Sequence, residues 1–454
     1  MSALWTADEM KAATLGEMSR DFDANGISID TRTLKPGDLF VALKGERDGH
    51  DYAGAAMQAK AAGVLAQREV EAPSLMVAST QRGLEDLARA SRARSNAKVV
   101  AVTGSAGKTT TKEMLRLAFG ALGKTHASAA SYNNHWGVPL SLAAMRRDTE
   151  YGVFEVGMNH FGELRALVGF VRPHVALVTT IAPAHLAAFG SCEAIADAKS
   201  EIFEGVLPRG AALIPSDSPY AERLTARARQ AGVSKILTFG AKGDARLLSH
   251  DDSGDGMTIK ATIKSKRVTF RLGALGVHNA TNAVGALLAV SAVGGDVQKA
   301  AEALSSFSAL KGRGARFRLA LKDGEAEIVD ESYNANPASM SAAIAVLGQT
   351  RASRRIAVLG DMLEMGPDGI AHHAALAKDL EAAKVDVVYV NGPQMRALWD
   401  ALPSSRKGGW AEASSGIASD VARAVKPGDV VLVKGSNGSK MNVIVDALKA
   451  RAGG

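Results

Sequence analysis

Residues 99–103, Val-Val-Ala-Val-Thr, run straight into Gly104-Ser105-Ala106-Gly107-Lys108-Thr109-Thr110. An apolar run, a glycine-rich turn and a Lys-Thr pair opening a helix suit a nucleoside triphosphate. Glycines let backbone N–H groups converge on phosphate oxygens, and the following helix presents its positive end to the same charge. In that reading Lys108 reaches the β- and γ-phosphates, and the Thr109 hydroxyl takes Mg²⁺. The spacing is the short G-x-x-G-K-T, because Val102 stands where the longer phosphate-loop pattern has its first glycine. A surface lysine on an ordinary strand–turn–helix is the plainer alternative. The strand before the turn and the helix predicted over 111–122 favour the nucleotide.

Three more residues bear on the same chemistry. Glu155 ends the apolar run 151–154, His185 follows the run 175–180, and Lys199 lies on a helix predicted over 193–206. In open parallel sheets ligands sit beyond the C-terminal ends of strands, where Glu155 and His185 fall. With Thr109 they form a ligand set for a divalent cation bridging a triphosphate. Singly, a strand-end Glu or a loop His is more often a solvated or capping residue; their shared position carries the reading. Lys199 completes an apolar stripe with Ile195, Ile202 and Val206. Such a lysine either snorkels its ammonium to water or is desolvated into a neutral, reactive amine.

The elements that must position these groups fall into three segments of a 454-residue chain, too long for one core. Residues 1–97 carry short strands at 27–29, 39–43 and 75–78 and a helix over 81–95. Residues 98–311 begin with the phosphate-loop strand, alternate strands with helices, and include a turn-rich stretch at 251–256 before a period-2 run over 257–272 that reads as a hairpin. Lys311-Gly312-Arg313-Gly314 reads as a hinge. Within 312–454, runs at 327–330, 356–359, 385–390 and 430–433 alternate with helices, the pattern of a parallel α/β domain.

Composition narrows the function classes. With 46% hydrophobic and 22% charged residues the chain is an ordinary globular protein. Its first residues lack the basic and apolar regions of a signal peptide, and no uncharged apolar run reaches the ~18 residues of a membrane span. One cysteine, Cys192, precludes an internal disulfide and fits a reducing cytoplasm; it reads as a small core or helix-start residue. The net charge of +7 is dispersed and only 5% of residues are aromatic. A basic enzyme of polyanionic small substrates therefore fits better than a nucleic-acid binder. The expectation is a monomer without nucleic-acid or membrane partners.

The motifs together resemble the Mur ligase family over essentially the whole chain. They are residues 103–109, Asn133-Asn134-x-x-Gly137-Val138-Pro139-Leu140, Glu155-x-Gly157-Met158-Asn159, residues 182–186, Ala198-Lys199-Ser200-Glu201-Ile202 and residues 276–282. Asp330-Glu331-Ser332-Tyr333-Asn334-Ala335-Asn336-Pro337-Ala338-Ser339-Met340, residues 358–366 and Val433-Lys434-Gly435-Ser436 complete the set. Ala130-Ser131 replaces the family's usual Gly-Asn, and Asp330-Glu331 its Asp-Asp.

The resemblance implies an α/β protein of three domains. These are a small mixed α/β UDP-binding domain (1–97), a central parallel-sheet ATPase domain (98–311) and a Rossmann-like C-terminal domain (312–454) for the incoming amine. It implies that Lys108, Glu155, His185 and Lys199 form the catalytic set, with Gly104 to Thr110 on ATP and Thr109, Glu155 and His185 on Mg²⁺. Lys199 would be carbamylated and add an anionic oxygen. Asn279 and Asn282 would face adenine, Arg313 the phosphates, and Glu331 or Asp330 the ribose. Asp30, Thr31, Arg32, Lys44, Gly45 and His50 would take the UDP-sugar, and Asn133, Asn134, Asn334 and Asn336 the remainder of the substrates. Within the family, residues 333–340 point to ligation of D-alanyl-D-alanine to UDP-N-acetylmuramoyl-tripeptide through an acyl phosphate. The competing readings are the sibling ligase that adds the third residue, a folylpolyglutamate synthase-like ligase, and, in another class, a phosphate-loop switch or nucleic-acid-dependent ATPase. The last would need an arginine-rich groove or a stacking platform, and the sequence has neither.

Overall fold

The computed structural model describes residues 3–129, 131–253 and 256–451. Met1 and Ser2, Ala130, and Gly254 and Asp255 of the turn-rich stretch lie outside the described residues. The described residues build three sheets, of five, nine and six strands.

In the first, the strands Ser74–Met76, Gly63–Ala66, Asp38–Val41 and Gly26–Ser28 are parallel neighbours, and the two-residue Glu17–Met18 closes one edge antiparallel. The helix Thr80–Ala93 starts at Ser79, whose hydroxyl accepts from the Arg82 N–H. It also bolts this lobe to the next. Arg92 donates Nε to Val171 O and Nη2 to Arg172 O, both at 2.8 Å, and so caps the end of the helix Glu163–Val171. Trp5 Nε1 donates to Ala143 O at 2.9 Å.

The central sheet has a parallel core in the order Ala211–Pro215, Val175–Val178, Lys98–Thr103, Tyr151–Glu155, Thr125–Ala127. At its other end the predicted hairpin over 257–272 is present as Gly256–Ile263 paired antiparallel with Lys266–Leu272. A third strand, Ala245–Ser253, joins it in an antiparallel meander and runs into the stretch read as turn-rich, and the parallel strand Lys235–Gly240 attaches the meander to the core. The strand Lys98–Thr103 lies between two others and is apolar on both faces, as a buried parallel strand must be. The phosphate loop therefore leaves the middle of the sheet.

The helix predicted over 193–206 is shorter. Cys192–Ser200 is α-helical, with Cys192 its first residue, and Glu201–Gly205 tightens into a 3₁₀ turn. The cause is remote in sequence: the Glu201 carboxylate accepts from Gly162 N and Arg165 N at the start of another helix. The stripe survives the change, with Ile195, Lys199 and Ile202 buried.

The third sheet runs Ala315–Leu321, Gly324–Glu331, Asp429–Lys434, Arg354–Gly360, Val387–Asn391, Lys407–Ala411, parallel but for the first strand, which follows the hinge and pairs antiparallel. Helices Pro337–Gln349 and Gly369–Ala382 pack on one face through Met340, Ile344, Leu376 and Leu380. Helices Ser414–Ala424 and Asn442–Arg451 cover the other through Ile417, Val421, Ile444 and Leu448. The neighbouring strands Gly324–Glu331 and Asp429–Lys434 thus lead to helices on opposite faces, which opens a crevice at their C-terminal ends.

Candidate active site

The phosphate loop is held from below by the strand end at 179–182. Gly104 has φ +152°, and a Cβ there would lie 1.9 Å from Thr179 Oγ1, so only glycine fits. Thr179 Oγ1 donates to Ala106 O at 2.5 Å, and the Ser105 hydroxyl both donates to Ala182 O and accepts from Ala182 N. Gly107, at φ +80°, opens the helix Lys108–Gly120 with its backbone against the Asn282 amide. Lys108 Nζ donates to Gly104 O at 2.8 Å, folding over the loop. Burial there lowers the pKa of its ammonium, with Glu155 opposing and Arg313 reinforcing.

Glu155 is 1 % exposed, yet no Lys or Arg among the described residues lies within ion-pair distance of it. Its two oxygens accept from Thr109 Oγ1 at 2.8 Å and Asn133 Nδ2 at 2.7 Å. A buried carboxylate satisfied only by neutral donors is poised for a cation. Lys199, 2 % exposed, has no hydrogen-bond or ion-pair partner among the described residues. Burial holds its amine well below a lysine's ordinary value, and the Lys108 charge pushes the same way. Of the two alternatives, burial puts Lys199 on the side of the desolvated amine. Lys199 is not among the residues that line the cleft. His185 lines it with Thr109 and Glu155, and its Nδ1 pairs with Glu364 Oε2 of the third domain. Burial lowers its pKa, Glu364 opposing.

Across from the loop stands the crevice of the third sheet, and together they enclose a cleft of about 2190 Å³ that opens to solvent. Of the acidic pair, Glu331 lines the cleft. Asp330 is turned inward, where it accepts from Gly312 N, Ser332 N and Ser332 Oγ and so fixes the hinge. Glu331 accepts from Lys434 Nζ at 3.2 Å, and the same ammonium donates to Asn334 O at 2.9 Å. Lys434, buried beside the cleft, stands in a motif of the sequence reading that gave it no role; its place at the end of an apolar run was the available signal. Arg313 lies 4.0 Å over the Tyr333 ring and donates to Ser131 Oγ. Asn336 caps the helix Pro337–Gln349 through Oδ1 while its Nδ2 donates to Ser105 O at 3.3 Å, tying the third domain to the phosphate loop. Thr110, Asn279 and Asn282 line the cleft, and Asn279 also borders a smaller cavity of about 440 Å³ with Leu275, Val329 and Leu347.

Other predicted residues stand away from the cleft. Asn134 spends its side-chain oxygen on Trp136 N and Gly137 N. In the first lobe Asp30 and Arg32 pair with each other at 2.6 Å, with Thr31 between them and Lys44 exposed. His50 is buried with both ring nitrogens engaged, Nδ1 with Asp48 Oδ1 and Nε2 with Gln67 N. Gly45 lies against Trp136: a Cβ there would come within 2.6 Å of the ring. The segment 131–137, which carries Asn133 to Glu155, is thus also what the first lobe touches.

The chain matches three family models: "Mur ligase family, catalytic domain" over residues 23–102, "Mur ligase middle domain" over 102–290, and "Mur ligase, glutamate ligase domain" over 315–437. It is 31% identical over 449 residues to the UDP-N-acetylmuramoyl-tripeptide–D-alanyl-D-alanine ligase of Rickettsia prowazekii, covering 98% of this chain and 99% of the relative. A crystal structure of MurF from Acinetobacter baumannii superposes with TM-score 0.86 at 29% identity, covering 98% of this chain and 99% of that one. A MurF ligase from Thermotoga maritima in complex with ADP superposes with TM-score 0.79 at 27% identity, covering 94% and 98%.

Proposed function

The chain belongs to the Mur ligase family, and on that premise we propose that it joins D-alanyl-D-alanine to UDP-N-acetylmuramoyl-tripeptide, converting ATP to ADP and phosphate. The product is the UDP-muramoyl-pentapeptide precursor of peptidoglycan. One observation carries the reading: a phosphate loop with a buried carboxylate satisfied only by neutral donors faces Glu331 and residues 333–336 of another domain across a single cleft.

The chemistry follows from what those residues can do. A carboxylate is a poor acyl donor until one of its oxygens bonds to the γ-phosphorus of ATP and the bridge to ADP breaks. Lys108 and the loop N–H groups hold the phosphates and balance the charge that develops, with Arg313 opposite them. The dipeptide amine then attacks the acyl phosphate, and phosphate leaves with the transferred oxygen. Asn336, Arg313 and Glu364 reach across from the third domain, so docking of that domain both assembles the site and keeps water from the activated acyl group.

The residues fit a hard divalent cation. Mg²⁺ takes few protein ligands and completes its shell with phosphate oxygens and water. Among the described residues no three His, Cys, Asp or Glu side chains form a ready cage, whereas the Thr109 hydroxyl and Glu155 carboxylate supply oxygens beside the loop. Mg²⁺ held there, with His185, would neutralise phosphate charge. Burial disfavours the Lys199 ammonium; once deprotonated, its amine can add CO₂ with loss of a further proton, giving a carbamate oxygen. Asn279 and Asn282 take the adenine and Glu331 the ribose. In the first lobe Asp30, Thr31, Arg32, Lys44 and Gly45 take the UDP-sugar, with His50 shaping that loop from beneath. The domain division is 1–97, 98–311 and 312–454. Among the described residues no helix is long and apolar enough to cross a membrane; a monomeric enzyme of the cytoplasm, where ATP is at hand, fits this chemistry. ADP release measured with each substrate omitted in turn tests the reading. Release should require both the UDP-muramoyl-tripeptide and D-alanyl-D-alanine, and equal release with a free diamino acid and the UDP-muramoyl-dipeptide would overturn it.

A further inference from the structure

The His185–Glu364 pair is more than a surface ion pair. Both residues occupy left-handed backbone, φ +57° and +63°, a conformation uncommon for residues with a Cβ. Main-chain contacts hold them there. Ala187 N donates to Glu364 O at 3.3 Å, and Gly366, at φ +67°, lies close against Ala187. Leu186, between them, packs against the cores of both the second and the third domains. Two loops from different domains therefore meet at one histidine.

The chemistry of that meeting is directional. A carboxylate on Nδ1 keeps the proton on that nitrogen and leaves the Nε2 lone pair free. Nε2 has no hydrogen-bond partner among the described residues, and the ring lines the cleft with Thr109 and Glu155. Imidazole is a softer ligand than oxygen for a hard cation, and a carboxylate on its other nitrogen raises its basicity and fixes its ring. We propose that Glu364 is a positioning residue: carried on the third domain, it sets the tautomer and orientation of His185, so the cation site of the second domain gains its nitrogen ligand only when the third domain docks. This rests on the cation site described above.

Glu364 is well exposed, so its replacement leaves the core intact. Mn²⁺ binding can be followed by electron paramagnetic resonance beside a non-hydrolysable ATP analogue, with domain docking followed in parallel by small-angle X-ray scattering. Glu364→Ala should weaken Mn²⁺ binding about 10–100-fold, as loss of a carboxylate behind a ligating histidine does, at unchanged radius of gyration. Glu364→Gln should restore most of it, because its amide oxygen still accepts from Nδ1–H. Glu364→Ala combined with His185→Ala should bind no more weakly than His185→Ala alone. Unchanged Mn²⁺ affinity in Glu364→Ala would overturn the role of Glu364, as would a loss that tracks an expanded molecule. Wild-type protein that binds no Mn²⁺ beside the analogue would instead overturn the cation site itself.

Discussion

In a Lys199→Met variant, an unbranched apolar chain of similar length replaces a lysine that is 2 % exposed and without a partner among the described residues. Burial of that amine disfavours its charged form, and methionine carries no charge to desolvate. The variant should be more stable than wild type wherever the unfolded lysine is protonated. The difference should also depend on pH. The folded-state pKa of Lys199 lies well below its ordinary value, so between the two the unfolded chain binds the extra proton. Wild-type stability then rises with pH through the window that ends near the unfolded value of about 10.4. The advantage of the variant should accordingly grow as pH falls, by up to about 1.4 kcal/mol per unit. Urea unfolding of both proteins at pH 7.5, 8.5 and 9.5 in CO₂-free buffer measures this. Ligation by the variant, meanwhile, should be largely lost, and acetate should restore part of it in Lys199→Ala. A variant less stable than wild type, or a stability difference independent of pH, would refute the reasoning, because either would mean a paired ammonium.

Two further substitutions separate chemistry from structure. Lys108→Ala should lower kcat by about 10²–10³ with an unchanged melting curve; near-normal turnover would exclude a role on the developing phosphate charge. Asn336→Ser keeps a helix-capping oxygen but loses the donor to Ser105, whereas Asn336→Ala loses both. Calorimetry should find only the alanine variant destabilised, by about 0.5–2 kcal/mol, while both variants raise KM for ATP.

What the sequence disclosed was local. The phosphate loop, the strand-end Glu155 and the Lys199 stripe are legible because a turn, an apolar run and a helical spacing each involve neighbours in the chain. What stayed hidden depends on distant partners. The helix around Lys199 ends early because Glu201 serves a helix that begins near Gly162. His50 has the type of a ligand, but Gln67 and Asp48 occupy both its nitrogens. The choice between Asp330 and Glu331 turns on strand alternation at a hinge, and the Glu331–Lys434 pair on the register of two strands far apart in sequence. The strand Ala315–Leu321 went unread because its period-2 pattern is short, with Phe317 and Leu319 alternating with Arg316 and Arg318, and begins directly after the hinge.

The central claim is that the cleft activates a carboxylate by phosphoryl transfer before the amine arrives. UDP-N-acetylmuramoyl-tripeptide labelled with ¹⁸O in its reacting carboxyl group tests this most directly, with the phosphate released during ligation of D-alanyl-D-alanine analysed by mass spectrometry. The label should appear in phosphate, one atom per turnover, because the oxygen that attacks phosphorus leaves with it. Unlabelled phosphate from a reaction that still forms the pentapeptide would contradict the account.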